Sequence, residues 1–227
     1  MERHFTVAID GPSGAGKSTL AKAVAQKMGA LYLDTGAMYR AVGLAALERG
    51  TDMADQDQVA GLLESLQVDV RYQDGGQRVY LNGQDVSEAI RQPRVSSAAS
   101  QVSAVPAVRE KLVAMQRQIA QGKSVVMDGR DIGTKVLPDA TLKIYLAADL
   151  EERARRRHRE LRDKGLPDSY EQVRRALEKR DHDDSCRAAS PLCQAADAVA
   201  LDCTRLSQEQ TVERVLDLLR QRLGVEA

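Results

Sequence analysis

The sequence contains no tryptophan, few aromatic residues and no excess charge of either sign. Only 3% of its 227 residues are aromatic, and 33 acidic residues balance 33 basic ones. A neutral chain with so few rings lacks both the basic surface and the stacking platform on which nucleic-acid binding depends. We therefore expect no nucleic-acid partner.

Long apolar runs and a secretion signal are also missing. No apolar stretch approaches the roughly 20 residues that a helix needs to cross a bilayer, and the first residues lack the profile of a signal peptide. The three cysteines, Cys186, Cys193 and Cys203, are odd in number and widely spaced, which fits neither a disulfide framework nor a zinc site. We expect a cytoplasmic protein with reduced thiols and no membrane partner.

Short apolar or β-branched runs alternate with helical patterns along the chain. Such alternation predicts an α/β fold with a doubly wound, mostly parallel sheet of about five strands and helices on both faces. The strands are predicted at residues 5–9, 30–33, 124–127, 142–147 and 198–201.

Helix signals fall between these strands. A loop at 34–36 is expected to precede a helix at 37–48, and further helices are predicted at 94–104, 107–121 and 150–163. Two more helices begin at sequences with the spacing of capping boxes, namely Ser169 with Gln172 and Ser207 with Gln210.

Residues 67–86 have a different pattern, in which apolar and polar residues alternate. Turn signals occur at Asp74-Gly75-Gly76 and at Asn82-Gly83, and this combination is typical of antiparallel hairpins. We predict a small antiparallel β module inserted into the α/β chain.

The segment after the first predicted strand matches a phosphate-binding loop, or P-loop, G-x-x-x-x-G-K-[ST], at every fixed position. Its glycines let backbone N–H groups converge on phosphate oxygens, and the following helix adds its N-terminal partial positive charge. Lys17 would reach the β- and γ-phosphates, and the Ser18 hydroxyl would ligate Mg²⁺. The predicted ATP-binding residues are Gly11, Pro12, Ser13, Gly14, Ala15, Gly16, Lys17, Ser18 and Thr19.

Other P-loop classes carry signatures that this sequence lacks. It has neither an NKxD segment that would read guanine nor the LSGGQ motif of transporter ATPases, so a small-molecule kinase remains. A kinase whose acceptor is a phosphate needs no catalytic base, but it needs cations that hold two polyanions together, a role to which arginine is suited. Arginines near the predicted carboxyl ends of the strands are Arg40, Arg130, Arg180 and Arg187.

A helix rich in arginine is predicted at 150–163 and is broken by Gly165 and Pro167. Alone, it would be read as a solvated face, but beside a P-loop it predicts a lid that closes over ATP and excludes water. Among the cations of the chain, the predicted catalytic residues are Lys17, Arg130, Arg153 and Arg157.

Five stretches together resemble the bacterial cytidylate kinases, and the inserted β module is similar to one in that family. The stretches are IDGPSGAGKST (9–19), LDTGAMYR (33–40), AASQVSAVPAVRE (98–110), DGRDIGT (128–134) and KRDHDDSCRAASPL (179–192). The resemblance implies a monomer that phosphorylates CMP or dCMP with ATP as co-substrate and Mg²⁺ as cofactor.

The resemblance also implies which residues bind the acceptor nucleotide. The residues implied are Thr35, Tyr39 and Arg40 for the monophosphate cleft, with Arg40 and Arg130 on the phosphate itself; Ser100, Arg109 and Asp131 for cytosine; Arg180 and Asp184 for the sugar; and Arg187 for a further contact.

These assignments agree with the chemistry of the base. Cytosine presents an amino donor beside two acceptors, and a carboxylate, a guanidinium and a hydroxyl complement that pattern. Uracil has a carbonyl in place of the amino group, so a carboxylate at Asp131 would disfavour it. Asp128, just after the third predicted strand, either hydrates Mg²⁺ or braces its loop, and the sequence does not decide between these roles.

We predict a P-loop core of residues 1–36, 104–152 and 168–227, a monophosphate-binding region of 37–103 and a lid at 153–167. Two other functions remain open at this point. One is another small-molecule P-loop kinase, acting on UMP or of the shikimate type. The other is a nucleotide-dependent binding protein without kinase activity.

Overall fold

The computed structural model describes residues 4–73, 75–163, 165 and 168–225 and contains two compact units. The first unit comprises residues 1–32 and 122–227, and the second comprises residues 33–121. Two residues used in the predictions above, Asp74 of the first hairpin turn and Pro167 of the lid, lie outside the described residues. Within the described ranges, no helix has the length and hydropathy needed to span a membrane.

Helices and strands alternate through most of the chain. A 3₁₀-helix at Ala89–Arg91 and a π-helical turn at Ile132–Val136 accompany them. In chain order the elements are β1 (Thr6–Asp10), α1 (Lys17–Lys27), β2 (Leu31–Asp34), α2 (Thr35–Arg49), α3 (Gln56–Glu64), β3 (Val68–Gln73), β4 (Gly76–Leu81), β5 (Gln84–Asp85), α4 (Pro93–Val102), α5 (Pro106–Ala120), β6 (Val125–Gly129), β7 (Leu142–Ala147), α6 (Leu150–Asp163), α7 (Tyr170–Cys186), β8 (Val199–Asp202) and α8 (Gln208–Leu223).

A five-stranded sheet with the order β2-β6-β1-β7-β8 confirms the predicted architecture. β1 pairs in parallel with both β6 and β7, and β7 pairs in parallel with β8. The carboxyl ends of β1, β6 and β7 therefore lie at one edge of the sheet, which is where ligands bind in open α/β sheets. This edge carries the P-loop after β1 and the DGRDIGT segment at the end of β6.

The core of the first unit lies between the central strands and their helices. Val7 and Ile9 of β1 and Val126 of β6 are fully buried, as expected for strands covered on both faces. α8 contributes an apolar stripe, because Val215 and Leu219 are also buried there. The packing of these strands and helices thus fixes the position of the P-loop at the carboxyl end of β1.

The second unit contains a three-stranded antiparallel sheet with the order β3-β4-β5, as predicted for the inserted module. β3 and β4 pair from Val68 opposite Leu81 to Gln73 opposite Gly76. Helices of this unit pack closely at Gly43 of α2, where an added Cβ would lie 2.7 Å from the backbone nitrogen of Ala99 in α4. Only glycine permits this approach.

The structure differs from the sequence prediction at the start of α2 and in one additional helix. The loop predicted at 34–36 is wrong, because β2 continues to Asp34 and α2 begins at Thr35, with Asp34 accepting the N–H of Ala37 as the N-cap. A short helix that was not predicted, α3, has Asp55 as its N-cap. In both cases an aspartate side chain satisfies N–H groups of the first helical turn, which otherwise lack partners.

Candidate active site

The P-loop has the backbone conformation that its glycines permit. Gly11, Gly14 and Gly16 all have positive φ angles. At Gly11 the chain passes so close to β7 that an added Cβ would lie 2.1 Å from the carbonyl oxygen of Leu146. α1 begins directly afterwards at Lys17 with Gly16 as its N-cap, so the first N–H groups of the helix face the loop.

Lys17 is buried and surrounded by other cations. Its Nζ donates to the carbonyl oxygen of Pro12 at 2.6 Å. Burial lowers the pKa of Lys17 well below its ordinary value, Arg130 and Arg180 lower it further, and Asp128 and Asp10 oppose the shift. A buried amine among guanidinium groups creates a strongly positive site, which a polyphosphate would neutralise.

Asp128, at the end of β6, connects the P-loop helix to β2. Its Oδ2 accepts from the Ser18 hydroxyl at 2.8 Å, and its Oδ1 accepts from the Tyr32 hydroxyl at 2.8 Å. A hydroxyl and a carboxylate side by side are oxygen donors of the kind that Mg²⁺ prefers. The carboxylate whose role the sequence left open therefore contacts the P-loop.

Arg130, Asp184 and Arg187 form a buried ionic cluster in the first unit. The Nε of Arg130 donates to Asp184 at 2.7 Å, and the Nη1 of Arg187 lies 3.7 Å from the other carboxylate oxygen. Burial alone would raise the pKa of Asp184, but Arg130, Arg180 and Arg187 together lower it below its ordinary value. Four residues that the sequence analysis assigned to acceptor binding are thus neighbours, namely Arg130, Arg180, Asp184 and Arg187.

The two predicted catalytic arginines of α6 have different surroundings. Arg153 is buried and donates to the carbonyl oxygens of Ala148 at 2.8 Å and Ser13 at 3.0 Å, and to Asp181 at 2.6 Å. Asp181 also accepts the N–H of Ser13 at 3.3 Å, so both backbone groups of this P-loop residue are bound. Arg157 instead pairs with Glu160 at 2.7 Å and is about one-third exposed, at 34%.

Asp10, at the end of β1, holds the turn that follows Arg130 and Asp131. Its two carboxylate oxygens accept the backbone N–H groups of Ile132 at 2.8 Å and Gly133 at 2.7 Å. Burial raises the pKa of Asp10 from 3.8 to about 6, partly offset by these two N–H groups. The buried Asp131, which begins the turn, accepts the Lys135 N–H at its carbonyl.

Replacing Asp10 by asparagine should destabilise the protein at pH 7 by about 1–3 kcal/mol, because an amide offers only one acceptor to two buried N–H groups. Because the pKa of Asp10 is raised, the difference in unfolding free energy between wild type and variant also depends on pH. The stabilisation that comes with protonation of Asp10 is fully present below about pH 4 and is lost as the pH rises through about 6. Between pH 7 and pH 5 the wild type should therefore gain about 1 kcal/mol over the variant.

Urea unfolding at both pH values measures this difference in unfolding free energy. Asp139→Asn is the control, because Asp139 is exposed in the segment after the same turn. A gap between wild type and Asp10→Asn that stays constant with pH would contradict the assignment.

In the second unit, Arg40 lies at the N-terminus of α2 and pairs with Asp34. Its Nη2 donates to Asp34 at 2.7 Å, while the Nε is buried and has no hydrogen-bond partner among the described residues. Burial would raise the pKa of Asp34, but Arg40 and then Arg91 lower it below its ordinary value. A guanidinium with a buried donor that has no partner among the described residues, near the N-terminus of a helix, favours an anion.

Tyr39 and Arg109 are also brought together in this unit. The guanidinium of Arg109 lies 5.4 Å from the centre of the Tyr39 ring, and its Nη1 donates to the carbonyl oxygen of Ser103 at 3.2 Å. Thr35 is buried at the start of α2, and Ser100 is half-buried in α4. The contact between Tyr39 and Arg109 links α2 to α5 and fixes the direction of the arginine.

A family model described as cytidylate kinase matches residues 7–221 of the chain. The chain belongs to the cytidylate kinase family. A cytidylate kinase of Shouchella clausii is 50% identical over 97% of this chain and 98% of its own length. That of Limosilactobacillus fermentum is 51% identical over 95% of each chain. The cytidylate kinase motifs identified from the sequence lie within the matched range.

One solved structure shares the fold with this cytidylate kinase family member. It is an uncharacterized protein from Eubacterium ventriosum, with a TM-score of 0.54 and 11% identity over 96% of this chain and 99% of the other. At that identity the likeness concerns the fold alone.

Three acidic residues that the sequence prediction did not assign adjoin or contact the P-loop of this cytidylate kinase family member. Asp10 is the last residue of β1 and Asp128 the second-last residue of β6, and that position at the carboxyl edge of the sheet is the signal that identifies them. Asp181 has no such signal, because it contacts the P-loop from α7, 168 residues away in sequence.

Proposed function

We propose that this chain transfers the γ-phosphate of ATP directly and in line to CMP or dCMP, producing CDP or dCDP. The observation that carries the proposal is the P-loop, in which buried Lys17 donates to the Pro12 carbonyl oxygen and Ser18 donates to Asp128. Arg130 and Arg180 add positive charge beside Lys17 and lower its pKa. The phosphates of the two nucleotides would offset the repulsion among these cations. Phosphoryl transfer depends mainly on this kind of positioning and charge stabilisation.

The donor phosphates would bind to the P-loop N–H groups and Lys17, with Arg153 holding the loop in shape through Ser13. Ser18 would hold Mg²⁺, and Asp128, which accepts from the same hydroxyl, would orient that group. When bound, the ion neutralises charge on the β- and γ-phosphates. Arg157, exposed on the arginine-rich helix, would meet the phosphates when the lid closes.

The acceptor phosphate needs no general base, because its attacking oxygen is already an anion. Arg40 would contact that phosphate through its spare Nε and the N-terminal N–H groups of α2, and Arg130 would supply a second contact. Arg109, fixed against Tyr39, would bind cytosine together with Ser100 and Asp131. The sugar would contact Arg180 and Asp184, and Arg187 would complete the site.

A coupled assay of ADP formation with four acceptors tests the proposal. CMP and dCMP should be the preferred acceptors, UMP should react at least about tenfold less efficiently because its carbonyl replaces the amino group, and AMP should react least. Isothermal titration with the same four nucleotides checks whether binding has the same order. Equal rates with all four acceptors would contradict the assigned specificity, and ADP formation with none of them would contradict the kinase activity.

Cellular location and assembly form part of the same proposal. We place the enzyme in the cytoplasm, which agrees with the three cysteines being free thiols and with the reducing conditions of that compartment. We expect it to act as a monomer without a nucleic-acid partner. Light scattering coupled to gel filtration would measure its mass against the 24.8 kDa of one chain.

A further inference from the structure

Gln77, in strand β4 of the inserted module, contacts the backbone of a residue far away in sequence. Its Oε1 accepts the N–H of Asp34 at 2.7 Å, and its Nε2 donates to the carbonyl oxygen of the same residue at 3.1 Å. A side-chain amide offers one acceptor and two donors, so it satisfies both backbone groups of Asp34 as a neighbouring strand would. This double contact fixes the position and the orientation of Asp34.

Asp34 transmits that orientation to the start of α2. One carboxylate oxygen accepts the N–H of Ala37 at 2.9 Å, and the other accepts from Arg40 at 2.7 Å. The side chain is only 8% exposed, so it has little freedom once its backbone is held. The guanidinium of Arg40 also lies close to Gly36, where an added Cβ would be 3.3 Å from its Nη1.

Two residues in and next to the inserted module contact Asp34. Gln77 holds its backbone from β4, and Arg91, in the 3₁₀-helix that follows β5, reaches the carboxylate at 3.4 Å. Arg91 is half-exposed, with 55% of its side chain accessible, so its contact is the weaker of the two. Gln77 therefore provides the more specific restraint.

We propose that Gln77 is a positioning residue for acceptor binding, which holds Asp34 and, through Asp34, directs the Arg40 guanidinium toward the acceptor phosphate. The inserted β module then has a definite task, because it supplies the amide that fixes a strand end outside its own sheet. The inference rests on the proposed function of Arg40. A residue that only anchored the module would change the stability of the protein without changing the affinity for the acceptor.

Gln77→Met tests this distinction, because methionine keeps the length of the side chain and removes both hydrogen bonds. The expected result is a five- to thirtyfold increase in the KM for CMP, about the effect of losing one or two hydrogen bonds. The KM for ATP and kcat should change less than twofold. Gln77→Glu should not restore the KM, because glutamate cannot donate to the carbonyl oxygen of Asp34 and adds a charge beside its carboxylate.

Gln73→Ala is the matched control from the same sheet. Gln73 is exposed at the end of β3, and among the described residues its side chain accepts only from the Tyr80 hydroxyl, at 3.3 Å, so all kinetic constants should stay within twofold of wild type. An unchanged KM for CMP in Gln77→Met, or equal increases in the KM values of both substrates, would overturn the proposal.

Hydrogen exchange of the Asp34 amide separates this inference from the proposed function. Loss of the Gln77 acceptor should speed exchange at Asp34 by at least about tenfold, and Gln73→Ala should leave it unchanged. If wild type forms no ADP with any acceptor, the proposed function fails while the exchange result still reports on the contact. If wild type is active and Gln77→Met exchanges at the wild-type rate, the positioning role alone is wrong.

Discussion

Replacing Lys17 by alanine should lower kcat by about 10²–10³-fold, the cost of removing one preorganised charge donor from a transition state. Lys17 is the amine that the P-loop surrounds, and its Nζ now donates to Pro12. Bound phosphates would offer the ammonium a better partner than a carbonyl oxygen does, because a phosphate oxygen carries negative charge. The assay is ADP formation at saturating ATP and CMP.

The same substitution should leave the fold intact. Burial lowers the pKa of Lys17, so its surroundings disfavour the charged amine, and removal of the amine relieves that cost. Circular dichroism should therefore give an unchanged spectrum and a melting temperature no lower than that of wild type. Lys27→Ala is the control on the same helix, since the pair that Lys27 makes with Glu213 is exposed. Activity in Lys17→Ala within tenfold of wild type would contradict the assigned phosphate site.

Local signals in the sequence were sufficient for most of the fold. The strand predicted at 142–147 matches β7 to the residue, and both predicted capping boxes are present at the starts of α7 and α8. Periodicity located these elements because apolar spacing is a local property. Where a prediction ended too early, as at 5–9 for β1, the strand continues into a polar residue, here Asp10. Hydrophobicity cannot show that a buried aspartate still belongs to a strand.

The candidate site was predictable only as far as its motifs extend. The P-loop could be read directly, because its fixed residues adjoin one another in the chain. The contact of Gln77 with Asp34 spans 43 residues, and that of Arg153 with Ser13 spans 140. No periodicity or short motif records such pairs, since they arise only when separate elements pack together. Prediction from the sequence was therefore more successful for the charged residues proposed to contact phosphate than for the groups that hold those residues in place.

Replacing Arg40 by alanine should raise the KM for CMP and lower kcat/KM for CMP by about 10²–10³-fold, while the KM for ATP stays within twofold. A hydrogen-bonded charge that is mostly buried contributes several kcal/mol when its partner is an anionic ligand. Arg40 has 17% of its side chain exposed and a buried Nε with no partner among the described residues. Arg40→Lys should recover little activity, because an ammonium lacks the planar fork that a phosphate accepts from two donors.

Arg49→Ala provides the matched control for this prediction. Arg49 ends the same helix and donates to the Ser65 hydroxyl from an exposed position, so its loss should leave kcat/KM for CMP within twofold. In Arg40→Ala, the Asp34 carboxylate still accepts from Ala37 and Arg91, so α2 keeps its N-cap and the variant should fold. A folded Arg40→Ala variant that binds CMP as tightly as wild type would show that the acceptor phosphate is held elsewhere. An equal loss of CMP and ATP affinity would indicate that Arg40 supports the fold rather than the acceptor.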